Sequence, residues 1–155
     1  MKASHSAFGA VLVLGLLCGT APASGQAMGP EWLTFDRAVS RSAVSGKRLM
    51  VYVQAEWCTW CRKLEREVFG SEAVRDRLAE TFEVSRLDFD DKIGTYRYAD
   101  RLISPAELAA LLGAESVPTV IFLEPDGTYL TRVEGYVDEL AFTNVLDYLN
   151  ATASR

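Results

Sequence analysis

The sequence predicts an α/β domain: a central mixed β-sheet with helices on both of its faces. Three observations carry that prediction. Apolar runs that read as buried strands alternate with stretches of helical spacing, in the order helix, strand, helix, helix, strand, helix, strand, strand, helix. The first two strands are separated by helical sequence, as a parallel crossover requires, whereas the last two are joined by the tight turn Pro125-Asp126-Gly127 and make a hairpin. The chain has 155 residues, 49% apolar and 24% charged, which suits one globular domain with a real core.

The N-terminus reads as a targeting segment over residues 1–25. Lys2 gives a small positive start, an apolar run extends from Phe8 to Cys18, and small residues follow, with cleavage expected after Ala23, Gly25 or Ala27. The run is shorter than the ~20 residues that a membrane span needs. An uncleaved anchor is the alternative. A lipidated Cys18 is disfavoured by the bulk of Leu17 before it. Export would place the domain, residues 26–155, in the periplasm or otherwise outside the cytoplasm.

Cleavage would remove His5, the only histidine, together with Cys18 and Lys2. Two cysteines and no histidine would remain, with 15 basic residues against 21 acidic ones, a net charge of −6. That inventory excludes Cys-His and Ser-His-Asp catalysis and any histidine-ligated metal centre. The acidic balance and the absence of a basic cluster argue against nucleic acid as a partner.

Each element has a local reason. Residues 26–31 form an entry segment. Trp32, Phe35, Val39 and Ala43 recur at helical spacing, with Thr34 as cap and Gly46 as terminator. Residues 48–54 are the first buried strand, and residues 58–69 the helix after it. Ser71 caps a helix to residue 80 that turns Val74 and Leu78 inward. Residues 82–89 are a strand. Residues 90–103 show no period and read as a surface insertion, long for an idle loop: either a tolerated excursion or a partner-facing flap. Ser104, Pro105 and Glu107 start a helix by a capping box with proline at its first position, and Gly113 ends it. Residues 119–124 and 129–133 are the hairpin strands. Gly135 and Asp138 break and cap the chain before a last helix faced by Leu140, Val145, Leu146 and Leu149.

The chemistry centres on Trp57-Cys58-Thr59-Trp60-Cys61, between the first strand and its helix. Two thiols three positions apart on a first helical turn can close a disulfide with little chain movement. The free N–H groups and positive end of the helix favour a thiolate, the species that attacks disulfides. Cys58, nearer the helix start, is expected to be the more exposed and to act as nucleophile, with Cys61 resolving the mixed disulfide. A purely structural bridge would close too small a loop to remove much unfolded-state entropy. The spacing alone is also shared by zinc sites.

The run Ala55-Glu56-Trp57-Cys58-Thr59-Trp60-Cys61, with Ser116-Val117-Pro118-Thr119, Gly127 and Gly135, resembles the thioredoxin-fold family from Trp32 to Leu149. The stretch Trp57-Cys58, Cys61-Arg62-Lys63-Leu64-Glu65 and Val68-Phe69 is similar to exported members: the SoxW type and the C-terminal domain of periplasmic electron-transfer reductases. The resemblance implies a cis peptide before Pro118, facing the two sulfurs, and main-chain pairing of Val117 with an extended substrate. It makes Trp57, Thr59 and Trp60 substrate-facing, with packing against the sheet edge as the alternative for each tryptophan. It implies a thiol-disulfide oxidoreductase that reduces protein disulfides and is recharged by a membrane thiol donor, as a monomer and without cofactor or metal. An oxidant or isomerase of the same fold, a Cu(I) carrier and a redox-inert binding domain are the alternatives. One position departs from the pattern. Family members usually carry a buried acid beneath the second cysteine, and here Tyr52 stands at that place. Glu56, in the loop before the motif, is the remaining candidate for a nearby base.

Overall fold

The computed structural model describes residues 29–98 and 100–153. The targeting segment expected over residues 1–25 lies outside the described residues. Strand β1 (Arg48–Gln54) is the middle of the architecture. It pairs along one edge with β2 (Phe82–Asp88), parallel to it, and along the other with β5 (Thr119–Leu123), antiparallel, and its apolar run is buried on both faces because helices cover both. Strand β6 (Tyr129–Glu134) completes the four-stranded order β2-β1-β5-β6.

Pleating divides the core in two. Met50 and Tyr52 point into a cluster with Leu64, Phe69, Phe122 and Phe142. Leu49, Val51 and Val53 point into a second one with Phe35, Leu108 and Ile121. Helix α2 (Thr59–Leu64), α3 (Glu72–Thr81) and α5 (Glu139–Ala153) cover the first face; α1 (Phe35–Ser45) and α4 (Pro105–Leu111) cover the second. An aromatic chain stiffens the first cluster. The Tyr52 ring lies 5.4 Å from Trp32 and 5.0 Å from Phe69, and Phe69 lies 5.5 Å from Phe142.

Several expectations need correction. Helix α1 buries Phe35, Ala38 and Ser42, not Val39 and Ala43, and Trp32 lies outside it. The cause is Leu33, which bridges to Ser85 as a short addition to the edge of β2, with N–H donation to Val84 O at 3.0 Å. The helix therefore starts two residues after that bridge. On α5 the inward face is Phe142, Leu146 and Leu149, with Val145 half-buried, while Leu140 is 71% exposed. Glu107 does not return to the cap; Ser104 Oγ accepts from its N–H at 3.2 Å, but its carboxylate pairs with Arg101. Ser71 likewise turns its hydroxyl to Glu139, at 2.6 Å, joining α3 to α5 rather than capping its own helix.

The helix expected over residues 58–69 changes pitch. After α2 it continues as a π-helical turn over Glu65–Phe69. Gly70 closes that turn. A Cβ there would sit 2.5 Å from the carbonyl oxygen of Arg66, so the close backbone approach requires glycine.

The segment 90–103 is not an irregular loop throughout. It holds a small antiparallel pair, β3 (Tyr96–Tyr98) and β4 (Arg101–Ile103). Asp91 begins it by accepting from the N–H groups of Ile93 and Gly94, both at 2.9 Å, which hold its carboxyl below the usual range. The pair is fastened to α1: Tyr96 packs edge-on to Phe35, and Asp36 accepts from Arg97 N–H at 3.1 Å.

Candidate active site

Strand β1 delivers the chain to the sheet's end, where the Cys58 N–H donates to Ala55 O at 3.0 Å and turns it into α2. Cys58 is the N-cap of that helix. Its Sγ accepts from the Cys61 N–H at 3.0 Å, so a free donor of the first turn is aimed at sulfur. Cys58 and Cys61 form a disulfide with S–S 2.17 Å and Cα atoms 5.2 Å apart. Both belong to the apolar cluster beneath the sheet's first face. Cys58 is 4% exposed and Cys61 1%. Cys58 is the more exposed of the two, as expected, but in the disulfide form it is itself buried.

Val117-Pro118 is a cis peptide. Its placement follows from α4, whose end at Gly113 (φ 82°) directs the chain back toward β5. Thr119 Oγ1 donates to Ser116 O at 2.7 Å, and Gly135 N–H donates to Pro118 O at 2.8 Å, which fastens the peptide to the end of β6. Trp60, Val117, Pro118, Gly135 and Tyr136 line one groove of about 310 Å³. Among the described residues, the Val117 N–H and carbonyl have no hydrogen-bond partner.

The two motif tryptophans are both outside the core. Trp57 is 66% exposed and its indole N–H donates to Asp90. It stands in a different recess, about 600 Å³, among Glu56, Asp88, Asp90 and Asp91. Trp60 is 56% exposed, and its ring lies 5.6 Å from that of Tyr136. Thr59 is exposed, its hydroxyl accepting from Arg62 at 3.2 Å. The structure thus brings Trp60 to the Val117-Pro118 groove and sends Trp57 to the acidic recess.

Beneath the disulfide, Tyr52 is fully buried and its hydroxyl donates to Cys61 O at 3.3 Å. Burial, and then the nearby Glu65 carboxylate, push its ionisation far above the usual phenol range. Tyr52 therefore stays protonated and holds backbone rather than taking up a proton. Glu56 is exposed, and its carbonyl accepts from Arg62 at 2.6 Å.

Sequence reasoning missed Lys63, Glu67, Asp90 and Tyr136. Lys63 Nζ lies 4.4 Å from the Tyr136 ring centroid and 5.3 Å from that of Trp60. The Tyr136 hydroxyl donates to Glu67 at 2.9 Å. That bond lowers the Glu67 carboxyl below its usual range and raises the Tyr136 phenol above its own. A signal existed for Lys63 and Glu67, a pair with i,i+4 spacing next to the motif. Tyr136 had none, since only the fold brings residue 136 to residue 60.

A family model described as Thioredoxin-like domain matches residues 35–150. The thiol:disulfide interchange protein DsbD of Actinobacillus pleuropneumoniae serotype 5b (strain L20) is 29% identical over 110 residues, covering 70% of this chain and 17% of that protein. Nucleoredoxin of Homo sapiens is 27% identical over 124 residues, 72% of this chain and 28% of nucleoredoxin. The chain thus spans less than a third of the length of these curated relatives. Among solved structures, a thioredoxin from Thermus thermophilus superposes with TM-score 0.65 at 22% identity, over 79% of this chain and 88% of its own.

Proposed function

This chain belongs to the thioredoxin-like domain family, and on that premise we propose that it is an exported thiol-disulfide oxidoreductase that reduces disulfides of polypeptide substrates through Cys58 and Cys61. The observation that carries the reading is the Cys58–Cys61 bridge at the mouth of α2, beside an unpaired main-chain donor and acceptor at Val117. A structural staple has no use for that second feature. An incoming extended segment does, because an unpaired backbone edge gains two hydrogen bonds when a strand is laid along it.

In the reduced state the Cys58 thiolate attacks one sulfur of a substrate disulfide. A bond forms between Cys58 Sγ and that sulfur, the substrate's own S–S bond breaks, and its other sulfur leaves as a thiolate and takes a proton. The Cys61 thiol then loses its proton and attacks Cys58 Sγ, closing the intramolecular disulfide and releasing the second substrate thiol. Two electrons pass to the substrate, and Cys58–Cys61 is left oxidised. With Tyr52 held neutral, the Cys61 proton goes to water or to the departing sulfur. Trp57, Thr59 and Trp60 shape the substrate-facing rim. A membrane thiol donor returns the pair to the dithiol. The targeting pattern over residues 1–25 supports export to the periplasm, and among the described residues no helix is long and apolar enough to cross a membrane.

Turnover of insulin by dithiothreitol tests the activity: the parent accelerates it and Cys58→Ser does not. A Cys58→Ser protein as active as the parent overturns the assignment. Equilibration with glutathione buffers tests direction. A potential near about −270 mV fits a reductase, and one near about −120 mV makes the protein an oxidant instead.

A further inference from the structure

The groove beside Pro118 has one wall built unlike a generic backbone-binding edge. Trp60 and Tyr136 stand side by side with their rings tilted by 37°, and the Lys63 ammonium covers both. The wall is held in place from behind. Tyr136 Oη is tied to Glu67, Lys63 lies 3.8 Å from the same carboxylate, and Gly135, at φ 74°, is bonded to Pro118. Tyr136 rests partly on the first core cluster, but Trp60 serves no core, since it is 56% exposed beside the cysteine pair. A fixed aromatic surface in that place gives apolar area to whatever side chain is laid on it, without first having to be ordered.

We infer that Trp60 and Tyr136 form a subsite for a large apolar or aromatic side chain adjacent to the substrate's reacting cysteine. The inference rests on the oxidoreductase reading above and names its substrate class: polypeptide disulfides with an aromatic neighbour. Once Val117 holds the substrate backbone beside the cis peptide, the side chain next to the attacked cysteine has the Trp60–Tyr136 wall within reach. Small disulfides such as oxidised glutathione offer nothing to that wall, and a substrate with alanine in this place leaves it wet. Tyr136 is then a specificity-determining residue placed far in sequence from the motif.

The test uses two synthetic peptide disulfides that differ only in carrying Trp or Ala next to the reacting cysteine. The parent is expected to prefer the Trp peptide by about tenfold in kcat/KM, mostly through KM, a factor typical of one buried aromatic face. In Tyr136→Ala the ratio of the two falls to near one, whereas Tyr136→Phe, which keeps the ring and loses the Glu67 bond, retains most of it. Because the readout is a ratio within one protein, a general loss of activity or stability does not move it. Equal kcat/KM values for the two peptides in the parent, or an undiminished preference in Tyr136→Ala, overturn the subsite. Failure of the parent to reduce either peptide removes the oxidoreductase reading along with it.

Discussion

The hydroxyl of Tyr52 and the main-chain oxygen of Cys61 meet at 3.3 Å, deep under the disulfide. The contact makes Tyr52 a brace for the first turn of α2. Tyr52→Phe keeps the ring packing on Trp32 and Phe69 and removes only the hydroxyl. It is expected to lower unfolding free energy by about 1 kcal/mol, measured in urea. Since the phenol stays protonated, the pH dependence of disulfide reduction near neutrality stays where it is. Tyr52→Asp puts a carboxyl into that aromatic cage and costs more, about 3 kcal/mol or above.

Arg48 opens β1 and is buried. Its guanidinium forks onto Glu124 at 2.6 and 3.0 Å and donates to Leu149 O, so it joins both hairpin and closing helix to the central strand. Glu124 is partly exposed, which screens the pair. Glu124→Ala is therefore expected to cost about 2 kcal/mol rather than the larger loss of a fully buried ion pair, read from the shift in urea midpoint.

Gly70 ends the π turn at a place where an added Cβ would meet the Arg66 carbonyl oxygen. Gly70→Ala forces that turn apart and is expected to destabilise the fold by about 2 kcal/mol. Amide exchange over α2 and residues 65–69 speeds up more than over β1, because the strain falls on the helix that carries the cysteines.

The Tyr136–Glu67 bond has a pH signature. Glu67 is held below its usual range in the folded state, first by the Tyr136 hydroxyl and then by Arg66 and Lys63. A depressed carboxyl adds stability above its unfolded value, about 4.3, and that stability is lost as pH falls through the folded value. In Tyr136→Phe the Glu67 titration midpoint, followed by the carboxyl carbon resonance, moves up toward the ordinary range.

Where the sequence could be read, local chemistry was sufficient. The bounds of β1 follow from the apolar run Leu49-Met50-Val51-Tyr52-Val53, flanked by Arg48 and Gln54, and the start of α4 follows from Ser104-Pro105. What escaped was decided at a distance. Val39 has the right spacing for a core position, but the Leu33–Ser85 bridge rotates α1 so that Ala38 takes the inward place. β3 and β4 are three residues each, too short to establish a period, so only their anchorage on Phe35 and Asp36 defines them. The pitch change at Glu65–Phe69 leaves no mark in composition apart from Gly70. Of the site, the cysteine pair was legible from spacing, whereas the Trp60–Tyr136 wall depends on a return of the chain 76 residues later.

The open amide and carbonyl of Val117 would, on the proposed reading, give this surface a particular kind of tolerance. A docking edge made of peptide groups asks nothing of the visitor's composition, because every polypeptide carries the same repeating donor and acceptor. Breadth of clientele would then be set by one residue's backbone, and choosiness by the rings around it. Evolution could tighten or relax the latter without disturbing the electron-exchanging pair.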